Sequence, residues 1–186
     1  MTTYRMSPAS RRQVIVLLLA ALLIWAFAIW SFASTLRISY HPLQFWPSLQ
    51  QSLAQGLGVG QVVPALLMLV LMIATPLLLW ALLTEYAAAY TPGPAGLGFR
   101  SVGVHLAYPW SAVRALRPGE GDADEPFDEL LLDGDPAASI ANPLVRFLYR
   151  QATGPGRLPI YPGIERRDDL IAEIQRHLAS PAPASA

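Results

Sequence analysis

The side chains that carry most enzyme and metal chemistry are few in this chain and stand far apart. The chain has 186 residues with three His, no Cys and no Lys. The absence of Cys excludes a disulfide, a thiolate ligand and a Cys nucleophile. His41, His105 and His177 have no second ligand at the spacing of a zinc or haem site. We expect His105 and His177 to be structural, since a helix C-terminus favours a cation at the position of His177.

Hydroxyl and carboxylate groups also form no pattern typical of an active site. No Ser lies in a GxSxG sequence, which would place a nucleophile on a sharp turn. Asp122, Asp124 and Asp128 belong to an acidic loop over 120–128 that lacks the Gly and the closing Glu of an EF-hand. The sequence therefore predicts a protein that is not an enzyme and that holds no catalytic residue, metal ion or cofactor.

Charge and hydropathy favour a membrane protein. Charged residues make up 14% of the chain, against about 25% in ordinary soluble domains. Residues 1–84 contain four Arg and no acid (+4), and residues 85–186 contain nine Arg and thirteen Asp or Glu (−4). An acidic C-terminal half has no general attraction for nucleic acid or for anionic lipid. We therefore expect no nucleic-acid partner.

Two apolar stretches, 13–33 and 62–83, contain no charged residue. At ~1.5 Å per residue, each is long enough to cross a hydrocarbon core of ~30 Å. The first could also be a signal peptide, but its length and its Trp residues favour a retained anchor. Without ionisable side chains, the spans predict neither a pump nor a channel. Pro76 is expected to kink the second span, with the Thr75 hydroxyl helping to satisfy the freed backbone.

The distribution of Arg predicts the topology of this hairpin. Three of the four Arg of the N-terminal half lie in 1–12, so this segment should be cytoplasmic. Residues 34–61 would then form an external loop. Residues 84–179 would form a cytoplasmic domain, followed by a disordered tail over 180–186.

The external loop contains a group of apolar residues that are candidate contacts with membrane or partner: Phe45, Trp46, Leu49 and Leu53. Pro47 suits the first turn of a helix. We predict a short interfacial helix on the outer leaflet, and an ordered loop without a partner is the alternative.

Turn signals and short apolar runs alternate through residues 84–179. Predicted strands lie at 97–100, 102–106, 110–116, 129–132 and 158–161, and an amphipathic helix is predicted at 166–178. Trp110, at the start of the third strand, is expected to anchor the core. The elements predict a small α+β domain.

Three stretches of this half are YTPGPAGLGFRSVGV, YPWSAVRAL and LPIYPGIERRDDLIAEIQRHL. In this order, and after a pair of apolar helices, they resemble the bacterial pleckstrin-homology-like (PH-like) domain. The resemblance implies an α+β membrane protein of the bacterial inner membrane. Its two-helix hairpin would be followed by a small β-barrel or sandwich that a C-terminal helix caps.

Lipid-binding members of that family hold phosphoinositide headgroups with several cations around the first hairpin loop. Here that loop, at 92–95, is followed only by Arg100. One Arg does not supply the converging cations of a phosphate site. We therefore do not expect specific phosphoinositide binding.

The segment 142–151, NPLVRFLYRQ, is the remaining candidate contact surface. As a helix starting near Pro143, it would place Leu144, Phe147 and Leu148 on one face and Arg146 and Arg150 on another. It could lie on the inner membrane surface, pack on the barrel as an extra helix, or contact another subunit.

These features together predict a non-enzymatic scaffold or accessory subunit whose partners are other integral membrane subunits and the lipid bilayer. A lipid-sensing or membrane-organising module without a fixed partner is the alternative. A membrane-bound enzyme is the least favoured function.

Overall fold

The structure, a computed structural model, describes residues 2–36, 44, 47–48, 50–51, 54, 56, 58–119 and 127–179. Its strands and α-helices in chain order are β1 (Tyr4–Arg5), α1 (Pro8–Leu36), α2 (Val59–Tyr86), β2 (Ala89–Gly93), β3 (Gly96–Ser101), β4 (Val104–Pro109), β5 (Val113–Pro118), β6 (Asp128–Leu132), α3 (Pro143–Thr153), β7 (Arg157–Ile160) and α4 (Arg167–Ala179). The chain divides into two compact units, Met1–Ile15 with Trp80–Ala186, and Val16–Leu79. The predicted α+β organisation, with two long apolar helices before antiparallel strands and a C-terminal helix, is confirmed.

The two long helices contain the predicted stretches 13–33 and 62–83. Pro8–Leu36 and Gly60–Tyr86 have mean hydropathies of 2.7 and 2.6 over their most apolar windows, and only 17% and 11% of those windows is buried. A helix that is apolar and largely uncovered needs an apolar solvent or a partner. Both helices are therefore candidate membrane spans.

A hydrogen bond joins the two helices next to Pro76. Pro76 has no N–H to donate to the carbonyl of Met72, four residues earlier. Trp25 Nε1 donates to that carbonyl over 3.2 Å. The Thr75 hydroxyl donates to the Leu71 carbonyl at 2.7 Å. The expectation that Thr75 satisfies the group freed by Pro76 was wrong, because an indole from the other helix reaches it.

The other unit contains two antiparallel sheets. One has the order β1-β2-β3-β4 and the other β5-β6-β7. The strand β1 precedes α1, so the two long helices are inserted between the first and second strands of one sheet. Sequence reasoning had treated 1–12 only as a cytoplasmic segment, because a two-residue strand carries no periodicity to detect.

The N-terminal segment also binds the chain that leads into α4. The Glu165 N–H donates to the Arg5 carbonyl at 2.8 Å, and the Ser7 N–H donates to the Gly163 carbonyl at 2.9 Å. The Tyr4 hydroxyl donates to Glu173 Oε2 at 2.9 Å. Residues 4–7 therefore lie between β2 and the start of the closing helix, and complete the unit.

Side chains from both sheets and from the C-terminal helix α4 form the core of this unit. Its largest fully buried side chains are Tyr90, Tyr149, Phe99, Leu97, Leu130, Leu158, Ile160, Leu170 and Ile174. Two predicted details differ. Val102 belongs to the turn that Gly103 makes at φ 64°, so β4 begins at Val104. Trp110 opens a 3₁₀ turn, Trp110–Ala112, and packs at the edge of the core, so the predicted strand begins only at Val113.

Candidate functional site

The helix α3 forms at the segment singled out from the sequence. Asn142 caps its N-terminus, since its side-chain oxygen accepts from the Leu144 N–H at 2.9 Å and from the Val145 N–H at 3.3 Å. Pro143 follows at the first helical position, where its missing N–H costs little. The helix ends at Gly154, which has a φ of 76°.

The apolar residues of α3 divide between the core and the surface. Tyr149 is 1% exposed and Val145 packs against the core. Leu144 and Phe147 are 63% and 53% exposed. The helix therefore packs on the sheet domain, which was one of the three arrangements considered from the sequence. It also exposes two large apolar side chains.

The two arginines of α3 are occupied within the domain. Arg146 donates from Nε and Nη2 to the Ile140 carbonyl at 2.9 and 2.7 Å. Arg150 pairs with Asp135, which in turn accepts from the Ala137 N–H at 3.0 Å. Because both guanidinium groups already have partners, neither arginine is favoured as a free cation that could bind lipid headgroups.

The four predicted contacts of the external loop, Phe45, Trp46, Leu49 and Leu53, lie outside the described residues. The interfacial helix predicted there stays a prediction.

The buried carboxylate of Glu129 contacts arginines on both neighbouring strands of the second sheet. Glu129 on β6 is 3% exposed and lines a cleft of about 520 Å³. Its Oε1 accepts from Arg117 Nε on β5 at 2.6 Å, and its Oε2 lies 3.6 Å from Arg157 Nη1 on β7. Because a cation from each neighbouring strand engages it, this carboxylate has a structural role across three strands.

A second cleft brings together cations that are distant in the sequence. Arg5, Arg11 and Arg100 line it together with Tyr86 and residues 87–89, around a space of about 330 Å³. This cluster was not predicted from the sequence. Arg5 and Arg100 come together only because β1 pairs with β2 and β2 pairs with β3, and both long helices lie between β1 and β2 in the sequence. The one signal available was the excess of Arg before the first apolar stretch.

The fold and these sites define an α+β chain with two candidate membrane spans inserted into its sheet domain. In the described residues, no group of three or more His, Cys, Asp or Glu is placed to hold a metal ion. Comparison with protein-family models, with curated proteins and with solved structures finds no match for this chain.

Proposed function

We propose that this chain is a non-enzymatic integral membrane protein that serves as a scaffold or accessory subunit of a larger membrane complex. In this proposal the two apolar helices form a hairpin in the bacterial inner membrane. The sheet unit is a cytoplasmic PH-like domain, and its α3 surface binds a partner subunit.

The strand arrangement supports a PH-like domain. A four-stranded and a three-stranded antiparallel sheet are followed by one C-terminal helix, α4, whose Leu170 and Ile174 are fully buried. This arrangement matches a small sandwich capped by a terminal helix, as the sequence resemblance implies.

Strand pairing supports a hairpin with both ends on one side of the membrane. Tyr4 pairs with Tyr90 and Arg5 with Ala89, so the chain before α1 and the chain after α2 share one sheet. Two spans return the chain to the side from which it started, and a single span does not. Removal of the first apolar stretch as a signal peptide, together with the residues before it, would also separate β1 from its sheet. The Arg before the first span support the cytoplasm as this side.

The observation that carries the scaffold function is the outward apolar pair of α3. Leu144 and Phe147 are both more than half exposed, and the adjacent Arg146 and Arg150 bind the Ile140 carbonyl and the Asp135 carboxylate of the same domain. An apolar pair without free cations suits the apolar surface of another protein better than charged headgroups.

A photo-crosslinking amino acid at position 147 tests this proposal in cells. We expect one defined protein chain, identified by mass spectrometry, to be crosslinked from position 147. The same reagent at Gln175, an exposed position of α4, should give no such product. Leu144→Glu should abolish the product without unfolding the domain. Crosslinks to lipid alone, or equal products from both positions, would contradict the scaffold.

A second function, a lipid-sensing or membrane-organising module, is favoured by the cluster of Arg5, Arg11 and Arg100. It differs from the scaffold in its ligand, which would be lipid rather than protein.

A further inference from the structure

We propose that the cleft lined by Arg5, Arg11 and Arg100 binds the phosphate group of an anionic membrane phospholipid.

The pairing of three strands sets two of these cations in one row. Arg5 of β1 pairs with Ala89 of β2, and Ala89 pairs with Arg100 of β3. Side chains that lie opposite one another across strands project from the same face of a sheet. Arg5 and Arg100 are both exposed, and the small Ala89 between them leaves the row open.

The third cation comes from the first helix. Arg11 lies in the second turn of α1, with its guanidinium carbon 5.9 Å from the centre of the Tyr86 ring. Tyr86 is the last residue of α2, so the cleft joins the two helix ends to the sheet.

The three arginines of the cleft have no carboxylate partner among the ion pairs of the described residues. Five other arginines pair with carboxylates, namely Arg114, Arg117, Arg150, Arg157 and Arg167. Among the residues that the structure describes, Arg5, Arg11 and Arg100 form no ion pair.

Arg11 also has a side-chain donor without a partner among the described residues. Within the described part of the chain, its Nε atom is buried and has no hydrogen-bond acceptor. A buried donor on a charged group is costly to leave unpaired.

A phosphate suits this geometry because guanidinium groups bind its oxygens through paired N–H donors. The side chains of residues 87–89 are all Ala, which lets an oxyanion approach the backbone. The cleft differs in place from the hairpin loop 92–95, where the phosphoinositide site of lipid-binding relatives would lie.

The position of the cleft selects a lipid as the source of the phosphate. Arg11 lies two residues before the apolar stretch 13–33, and Tyr86 three residues after the stretch 62–83. In a membrane hairpin both positions fall at the headgroup level. This choice of ligand rests on the proposed membrane anchorage, which carbonate extraction of membranes tests separately.

The test uses the full chain in a non-ionic detergent. It is titrated with short-chain phosphatidylglycerol, with phosphatidylcholine of the same chain length and with inorganic phosphate, and bound lipid is counted by native mass spectrometry. We expect one phosphatidylglycerol to bind in preference to phosphatidylcholine. Arg5→Gln, Arg11→Gln and Arg100→Gln should each weaken that binding about fivefold, as for the loss of one cation at a membrane surface.

Arg12→Gln is the matched control. It removes an exposed neighbour of Arg11 that does not line the cleft, and it should change binding by less than about twofold. Circular-dichroism melting without lipid checks that each variant folds. Equal losses for Arg12 and Arg11 variants, or equal binding of both lipids, would overturn the site. Binding of inorganic phosphate without phosphatidylglycerol would overturn the lipid as its source.

Discussion

At the scale of single residues, the hydroxyl groups of buried tyrosines distinguish this domain. Tyr90, Tyr108 and Tyr149 are at most 3% exposed, and the Tyr108 and Tyr149 oxygens lie 3.3 Å apart. Burial raises the pKa of all three phenols above the usual value of about 10, and the neighbouring Tyr149 phenol raises the Tyr108 pKa further.

These pKa shifts predict unfolding in alkali. Below about pH 10 both states keep the phenolic protons. Above it the unfolded chain loses protons that the folded domain retains, so the free energy of unfolding falls as pH rises. Each tyrosine contributes a slope of ~1.4 kcal/mol per pH unit.

Tyrosinate absorbance and circular dichroism against pH measure this effect. Both signals should change together above pH 10, and Tyr149→Phe should reduce the slope by the share of one tyrosine. Gradual ionisation without loss of structure would show that the phenols are accessible to solvent.

Trp110 has a smaller expected role than a buried core aromatic. Its Nε1 donates to the Gly93 carbonyl at 2.8 Å, and its ring stacks on His177 at 4.3 Å between centroids. Because Trp110 is only partly buried, Trp110→Ala should cost about 2–3 kcal/mol of unfolding free energy, less than the ~3–5 kcal/mol of a fully buried aromatic. Thermal melting measures this change in unfolding free energy.

Trp110→Phe, which keeps part of the stack but loses the hydrogen bond, should cost about 1 kcal/mol. Equal costs for the two variants would exclude stacking as the main contribution.

At the scale of elements, two glycines of β3 should respond very differently to substitution. A Cβ at Gly96 would lie 2.1 Å from the Tyr108 carbonyl oxygen of β4. A Cβ at Gly98 would meet its nearest atom, the Thr91 carbonyl oxygen, at 3.4 Å. Gly96→Ala should therefore destabilise the domain by at least about 2 kcal/mol, because backbone must move. Gly98→Ala is the control and should stay within about 1 kcal/mol. Chemical denaturation compares them, and similar midpoints would contradict the register of β3 and β4.

The bond from Trp25 to the carbonyl freed by Pro76 predicts energetic coupling between α1 and α2. Trp25→Phe should cost about 1 kcal/mol of stability, as interhelical hydrogen bonds in membranes do. In a Pro76→Ala background the helix supplies its own donor to Met72, so Trp25→Phe should cost much less. A double-mutant cycle in detergent measures the coupling. Additive effects would mean that the indole does not replace the missing N–H.

At the scale of the whole molecule, the pairing of β1 with β2 predicts that the segments before α1 and after α2 lie on the same side of a membrane, which the proposed topology makes the cytoplasm. A reporter phosphatase that is active only outside the cytoplasm should stay inactive at either terminus of the full chain. A control fusion within the loop 34–61 should be active. Activity at one terminus alone would contradict the pairing of β1 with β2 across the hairpin, and activity at both would reverse the topology.

The sequence by itself determined the elements whose signals are local. Uninterrupted apolar length predicted both long helices, and the 3.6-residue period predicted α4, which runs from Arg167 to Ala179. The segment 142–151, which was considered as a helix from its sequence, contains most of α3, which runs from Pro143 to Thr153. Each signal lies within the segment it specifies, so no knowledge of distant contacts was needed.

Only the tertiary structure decided which residues meet. It placed Tyr4–Arg5 in a sheet with residues about 85 positions later, which brought Arg5 and Arg11 to Arg100. It also paired Arg146 with the Ile140 carbonyl and Arg150 with Asp135, and it left Leu144 and Phe147 exposed. The physical reason is that backbone pairing and the competition for acceptors depend on all the partners that the fold supplies, and a single stretch of sequence does not contain them.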